Sequence, residues 1–162
     1  MEEKNSCWAT GEQALSLALR FILQFEGLRL RPYICSAGVA TIGVGATRYL
    51  DGRRVTLSDP EIKRETAFVL LRESVRQEYM PSVIKLCPGA DTPKRIAALT
   101  SFAFNVGIGN LKASTLRRRV NSGDWPGAQR ELRKWVRGGG KVLPGLVLRR
   151  EAEAALVGGS GR

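Results

Sequence analysis

Apolar positions along this 162-residue chain follow two different periods, and the switches between them mark out its elements. Leu15, Ala18, Leu19, Ile22 and Phe25 recur at helical spacing and predict an amphipathic helix. Thr10-Gly11-Glu12-Gln13 reads as its capping box, with Thr10 as N-cap, which leaves residues 1–9 as a loose leader. Gly27 offers a left-handed stop, so Glu26 falls at or beside the last helical residue. From Tyr33 to Val55 the pattern changes. β-Branched and aromatic residues are interleaved with Gly, and Asp51-Gly52 is a hairpin-turn signal. Two or three short antiparallel strands are expected there.

Helical spacing then returns. Ser58-Asp59-Pro60-Glu61 reads as a second capping box opening a long helix through Val69, Leu70 and Val75 toward Tyr79. After the loop Pro88-Gly89-Ala90-Asp91, Thr92-Pro93 starts an apolar helix that runs past Phe104 to near Gly107. A short helix over 114–120 follows. The next is capped at Asp124-Trp125-Pro126 and carries Leu132, Trp135 and Val136 until Gly138-Gly139-Gly140 breaks it. A final helix runs from Pro144 to Val157, and residues 158–162 read as a disordered tail. The mixture predicts an α+β domain, with helix and sheet in residues 10–58 and helices in 59–157.

Composition narrows the chemistry. The hydrophobic share of 43% suits a globular core rather than a disordered chain. The absence of His excludes a Ser-His-Asp triad, a Cys-His dyad and a His-ligated metal. Proton transfer near neutral pH then falls to a carboxylate, thiol, Lys or Tyr. The net charge of +11 points to a polyanionic partner, either nucleic acid or the carboxylates and phosphates of a bacterial envelope. No helix-turn-helix, zinc motif or aromatic-basic sheet pattern supports nucleic acid. Cys7, Cys35 and Cys87 are odd in number and form no CxxC pair, which suits a reduced site of synthesis. The apolar stretch from Ala14 to Phe25 is broken by Arg20 and Gln24. It is expected to be neither signal peptide nor membrane span.

The candidate chemistry lies in Glu26, Cys35 and Thr41, with eight and then five residues between them. A carboxyl at a helix C-terminus faces the negative end of the helix dipole, which favours the protonated acid that glycoside cleavage needs. The bland alternative is a solvated helix-end residue. Thr41 can hold a water, or it can be an ordinary β-branched strand residue. Cys35 can supply a thiolate as base or nucleophile, with Arg31 nearby in sequence. It also reads as a degraded position or a small buried apolar residue.

The spacing Glu-x8-Cys-x5-Thr resembles the active-site segment of the phage lysozyme (endolysin) family, glycoside hydrolase family 24, in which the middle residue is Asp. Phe104-Asn105-Val106-Gly107 with Ser114-Thr115-Leu116 is similar to that family's mid-chain cleft motif. Gly139-Gly140-Lys141-Val142-Leu143-Pro144-Gly145-Leu146 with Arg149-Arg150-Glu151 is similar to its C-terminal signature. Ala46 departs from the His common there. The resemblance implies a lysozyme-like fold, with a small antiparallel sheet lobe joined by a long helix to a mainly helical lobe. It also implies hydrolysis of the β-1,4 bond between N-acetylmuramic acid and N-acetylglucosamine. Glu26, Cys35 and Thr41 are the implied catalytic residues, and Thr47, Phe104, Asn105 and Thr115 the implied substrate contacts. No metal or organic cofactor is implied. The expected setting is a monomer held in host cytoplasm until lysis, reaching the periplasm and wall through a separate holin-type protein. A catalytically impaired peptidoglycan-binding module is the rival reading. The clusters Arg117-Arg118-Arg119 and Arg149-Arg150 read as solvated faces or an envelope-attracting surface, and the second also as a structural partner of Glu151 or Glu153.

Overall fold

The computed structural model describes the backbone of residues 2–159 and side chains from Thr10 onward. The chain divides into two compact units, Glu26–Glu78 and the remainder up to Phe25 and from Tyr79.

The smaller unit is built on a hairpin of β1 (Arg29–Ile34) and β2 (Ala40–Gly43). Their antiparallel register pairs Tyr33 with Thr41 and Ile34 with Ala40. Isolated bridges Ile42–Ala46 and Arg48–Arg54 extend the folded-back chain, and Asp51-Gly52 makes the expected turn, with Gly52 at φ +84. Ile42, Val55 and Leu70 form a small core with Ala40, Ala46, Tyr49 and Ile62 against it. Gly43 has φ +67, and a Cβ there would lie 3.2 Å from that of Ala67, so β2 rests closely on α2 (Arg64–Ser74).

The expected capping box at Ser58 does not form. Helix α2 starts at Arg64 after Lys63, which makes no side-chain cap. Asp59 is taken instead by tertiary partners. It accepts from the Thr56 N–H (2.9 Å), the Tyr49 hydroxyl (3.0 Å) and Arg53 (3.0 Å). The Ile62 N–H donates to Leu30 C=O (2.9 Å), keeping this segment extended beside β1.

Helix α2 runs through a π-helical turn (Val75–Tyr79) into α3 (Met80–Leu86). Pro81 explains the widening: it has no N–H for the carbonyl four residues back, and its ring crowds that carbonyl.

The larger unit surrounds α4 (Pro93–Val106), whose residues Ala97 to Ala103 are all buried. A helix apolar on every side belongs at the centre of a bundle. Helix α1 (Glu2–Phe25) packs on it through Ala14, Leu15, Ala18 and Ile22. Two expectations about α1 fail. It begins at Glu2, so Thr10 sits inside the helix rather than capping it, and Gly27 is not left-handed. Its packing also places it with the helices rather than with the sheet. Met1 and the predicted tail residues 160–162 lie outside the described residues.

The remaining helices are α5 (Ile108–Ala113), α6 (Thr115–Asn121), α7 (Trp125–Leu132) and α8 (Pro144–Gly158). Thr92, Ser114 and Asp124 cap α4, α6 and α7 by accepting from the N–H groups of Arg95, Arg117 and Gly127. Helix α5 was not expected. Helix α7 stops at Leu132, short of Trp135 and Val136, and the Gly run turns a small hairpin of β3 (Arg137–Gly138) and β4 (Lys141–Val142). Phe102, Leu99, Leu111, Leu116, Leu132 and Val157 lie in the main core. No helix among the described residues is long and apolar enough to cross a membrane.

Candidate active site

Glu26 directly follows α1, so its position is set by where that helix ends, and it is half-buried. Cys35 and Thr41 come from the two arms of the β1–β2 hairpin. Thr41 stands opposite Tyr33 and is 3% exposed, while Cys35 opens the connecting turn and is half-buried. The Cys35 N–H donates to Val39 C=O (3.0 Å), and the Gly38 N–H donates to Cys35 C=O (2.9 Å). Gly38 has φ +76, a conformation that costs a side-chain-bearing residue free energy, and it closes the turn on itself.

This turn wraps backbone donors around the sulfur. The Val39 N–H foremost, then the Thr41 hydroxyl, then the Ala37 N–H hold the Cys35 thiol below its ordinary range. Slight burial opposes them. The Thr41 hydroxyl has one proton, which it donates to Val39 C=O at 2.9 Å. Turning it to the sulfur favours the thiolate at the expense of that bond, so the backbone donors are the standing contribution. Cys87 is the opposite case: burial pushes its thiol up to about 11. The arginines near Glu26 in sequence have their own contacts, Arg31 with Glu61 (3.1 Å) and Arg29 over the Tyr33 ring (4.5 Å).

Thr47 is exposed and lines a cavity of about 360 Å³ with Val39, Ala40, Arg48, Arg54 and Val55. Val39 links this cavity to the Cys35 turn. The Val55 N–H donates to Thr47 C=O (2.9 Å), and the Asp59 cluster fixes the same loop from behind. The Asp59 carboxyl is held down to about 2, chiefly by the Thr56 N–H.

Phe104, Asn105 and Thr115 belong to the larger unit. Phe104 is half-buried, its ring centroid 5.0 Å from that of Tyr79. Asn105 Oδ1 accepts from Arg150, and its residue lines a second cavity of about 360 Å³ with Asn110, Lys134, Trp135 and Arg137. Thr115 is the first residue of α6 and no cap. Ser114 caps that helix, and the Thr115 hydroxyl accepts from Arg118 (2.8 Å).

Behind Asn105 lies an ionic cluster that sequence reading saw only in part. Glu153 is fully buried and pairs with Arg149 (3.2 Å) and with Arg150, while the Ser101 hydroxyl donates to it (2.7 Å). Arg149 also donates to Ser101 C=O, and Arg150 to Trp135 C=O. The i,i+4 spacing of Arg149 and Glu153 was the legible part. Glu151 instead meets Arg133 (2.8 Å). The double arginine is therefore a buried support for α4 and Asn105, not a solvated face.

A family model described as Phage lysozyme matches residues 23–153. The chain belongs to the phage lysozyme family. It is 42% identical over 140 residues to the endolysin of Bacillus phage B103, a match covering 85% of this chain and 51% of that protein. The chain thus spans about half the length of that relative. Two solved structures are similar throughout. The endolysin from Escherichia coli O157:H7 phage FAHEc1 has a TM-score of 0.75 at 33% identity, covering 87% of this chain and 90% of that one. The muramidase domain of SpmX from Asticcacaulis excentricus has a TM-score of 0.74 at 29% identity, covering 88% and 95%. These likenesses agree with the α+β lysozyme-like fold expected from the sequence.

Proposed function

We propose that this protein is a peptidoglycan-hydrolysing endolysin, a muramidase of glycoside hydrolase family 24. Its bond is the β-1,4 link between N-acetylmuramic acid and N-acetylglucosamine. The observation that carries the reading is the Cys35 turn: half-buried Cys35 bonds through its backbone to Val39 and Gly38, and Thr41 bonds to the same Val39 carbonyl, which brings the two together where the resembling family has Asp and Thr. The turn favours an anion at that position, so Cys35 takes the carboxylate's place as a thiolate.

In the proposed reaction Glu26 donates its proton to the glycosidic oxygen as the bond from the anomeric carbon breaks. Thr41 and the Cys35 thiolate hold a water. The thiolate takes one of its protons as the oxygen adds to that carbon from the opposite face. The product has inverted configuration, Cys35 is left as a thiol, and Glu26 as a carboxylate. Proton exchange with solvent restores both. Thr47, Phe104, Asn105 and Thr115 contact the saccharide in this reading. The enzyme acts as a monomer in host lysis, passing from cytoplasm to wall through a holin-type lesion. The endolysin and muramidase relatives support the reaction class.

The test is release of reducing ends from purified sacculi, with the anomeric configuration of the new end read by NMR. Release with inversion supports the reading. Wall binding without release would make the protein a peptidoglycan-binding module, and retention would make Cys35 a nucleophile with a covalent glycosyl-enzyme.

A further inference from the structure

The basic cluster of Lys112 on α5 and Arg117 and Arg118 on α6 is not used in that reaction, and it lacks the ion pairs that several other surface cations have. Several surface cations elsewhere are neutralised. Arg133 pairs with Glu151 (2.8 Å), Lys134 with Glu131 (2.7 Å) and Arg76 with Glu73 (3.3 Å). On α6 itself, Arg119 pairs with Asp124 (3.1 Å). Lys112, Arg117 and Arg118 instead line a cavity of about 550 Å³ with Ser114, Asn121 and Ser122, and no carboxylate is in the lining.

Arg117 and Arg118 are held by hydrogen bonds, and among the described residues none of the three cations has an ion pair. Arg117 Nε donates to Leu86 C=O (2.9 Å) and its Nη1 to Lys112 C=O (3.2 Å), which fixes the guanidinium plane and leaves Nη2 uncommitted. Asn121 donates to the same Leu86 carbonyl (2.9 Å). Arg118 is steadied by the Thr115 hydroxyl, and both Arg118 and Lys112 are exposed. Holding like charges together without a counter-ion is unfavourable. An arriving anion relieves that repulsion, and a planar Arg fork suits phosphate oxygens.

We propose that this cavity binds the phosphodiesters of a phosphate-bearing polyol or glycan polymer, the charged chain of a bacterial envelope. Two features favour that partner over other polyanions. No aromatic residue is in the cavity lining, so it offers no platform on which nucleic-acid bases would stack. None of the exposed large hydrophobic residues is in that lining, so nothing in it would insert among lipid chains. What remains is charge and hydrogen bonding, suited to a polymer whose anionic groups repeat along a polar backbone. The site retains the enzyme on the wall; because Arg118 donates to the proposed saccharide contact Thr115, its role is read from binding and not from turnover.

The test is a titration of the full chain with purified poly(glycerol phosphate) at low and at physiological ionic strength, so it needs no catalytic readout. The double variant Lys112→Gln/Arg118→Gln is expected to bind on the order of tenfold more weakly or worse. Its salt dependence, as the slope of log K against log salt, should shrink by about one per cation removed. Arg133→Gln removes the same kind of charge from an ion-paired position and should bind within about twofold of the parent. Thermal unfolding accompanies each titration. Lys112→Gln alone, at an exposed side chain, should show the same loss in smaller measure. Parental binding by the double variant would overturn the proposal, and so would an equal loss in Arg133→Gln, since net charge alone would then explain binding. Tighter binding of a single-stranded DNA of equal charge would assign the cavity to nucleic acid instead.

Discussion

Cys35 and Val39 grip each other across the β1–β2 turn. The Cys35 N–H donates to Val39 C=O at 3.0 Å, and the Val39 N–H in return is the largest influence stabilising the Cys35 thiolate. The same Val39 carbonyl receives the Thr41 hydroxyl, so one residue organises both side chains of the proposed water site.

A first consequence is a difference in thiol reactivity. In a Cys7→Ser background, Cys35 should be alkylated at a pH below the ordinary thiol range, because alkylation follows the thiolate. Cys87 is 1% exposed with its thiol near 11, and should stay unmodified until the protein unfolds. Site-resolved mass spectrometry across a pH series reads both. Equal rates at the two thiols would contradict the cradle.

Substitutions at Cys35 separate chemistry from packing. Cys35→Ser keeps nearly the same shape but forms no anion near neutral pH, so hydrolysis should fall far more than thermal stability. Loss of a general base typically costs ~10²–10⁴-fold in rate. Cys35→Asp restores the carboxylate of the resembling family and should keep or raise activity. If Cys35→Ser hydrolyses at the parental rate, Cys35 only packs. If the parent is inert and Asp restores it, the position is degraded.

Much of the helical fold is local enough to be legible. Thr92, Ser114 and Asp124 are followed by helix-forming residues, and each accepts from an N–H three positions on, as such residues do. Asp59 looks the same in sequence, yet its partners Tyr49, Arg53 and Thr56 lie behind it in a folded loop, and a local rule cannot anticipate them. Helix α5 was hidden by Gly107 and Gly109, which read as breakers although Gly107 only borders the helix and Gly109 lies within it. At the site, the change of pattern from Tyr33 to Val55 made short antiparallel strands legible, and Thr41 lies on such a strand opposite Tyr33. The donors around the sulfur depend on Gly38 at positive φ, which the sequence permits but does not require. Asn105 and Arg150 are far apart in sequence, so their bond emerges only from packing of α4 against α8.

The Asp59 cluster gives a pH prediction. Its carboxyl sits at about 2 in the fold, below the ordinary carboxylate value of 3.8. A depressed carboxylate contributes stability that is complete above its unfolded value and is lost as pH falls through the folded one. The melting temperature should therefore drop between about pH 4 and pH 2 in the parent, and Asp59→Asn should flatten part of that drop while lowering stability at neutral pH. An identical pH profile in the variant would remove Asp59 from the account.

Glu153 should be more costly to lose. Glu153→Gln is nearly isosteric but removes the buried carboxylate that pairs with both Arg149 and Arg150. Removing one partner of a buried ion pair typically costs about 3–5 kcal/mol. Urea unfolding measures it, and a variant as stable as the parent would show that the cluster is supported by its other hydrogen bonds alone.

The central claim is that Glu26 supplies the proton for glycosidic cleavage, and its most direct test is reducing-end release from purified sacculi by Glu26→Gln. The amide keeps the shape and cannot act as the acid. The account predicts a rate lower by ~10²–10⁴-fold, with the folded state intact by circular dichroism. Release at the parental rate by a folded Glu26→Gln protein would contradict it.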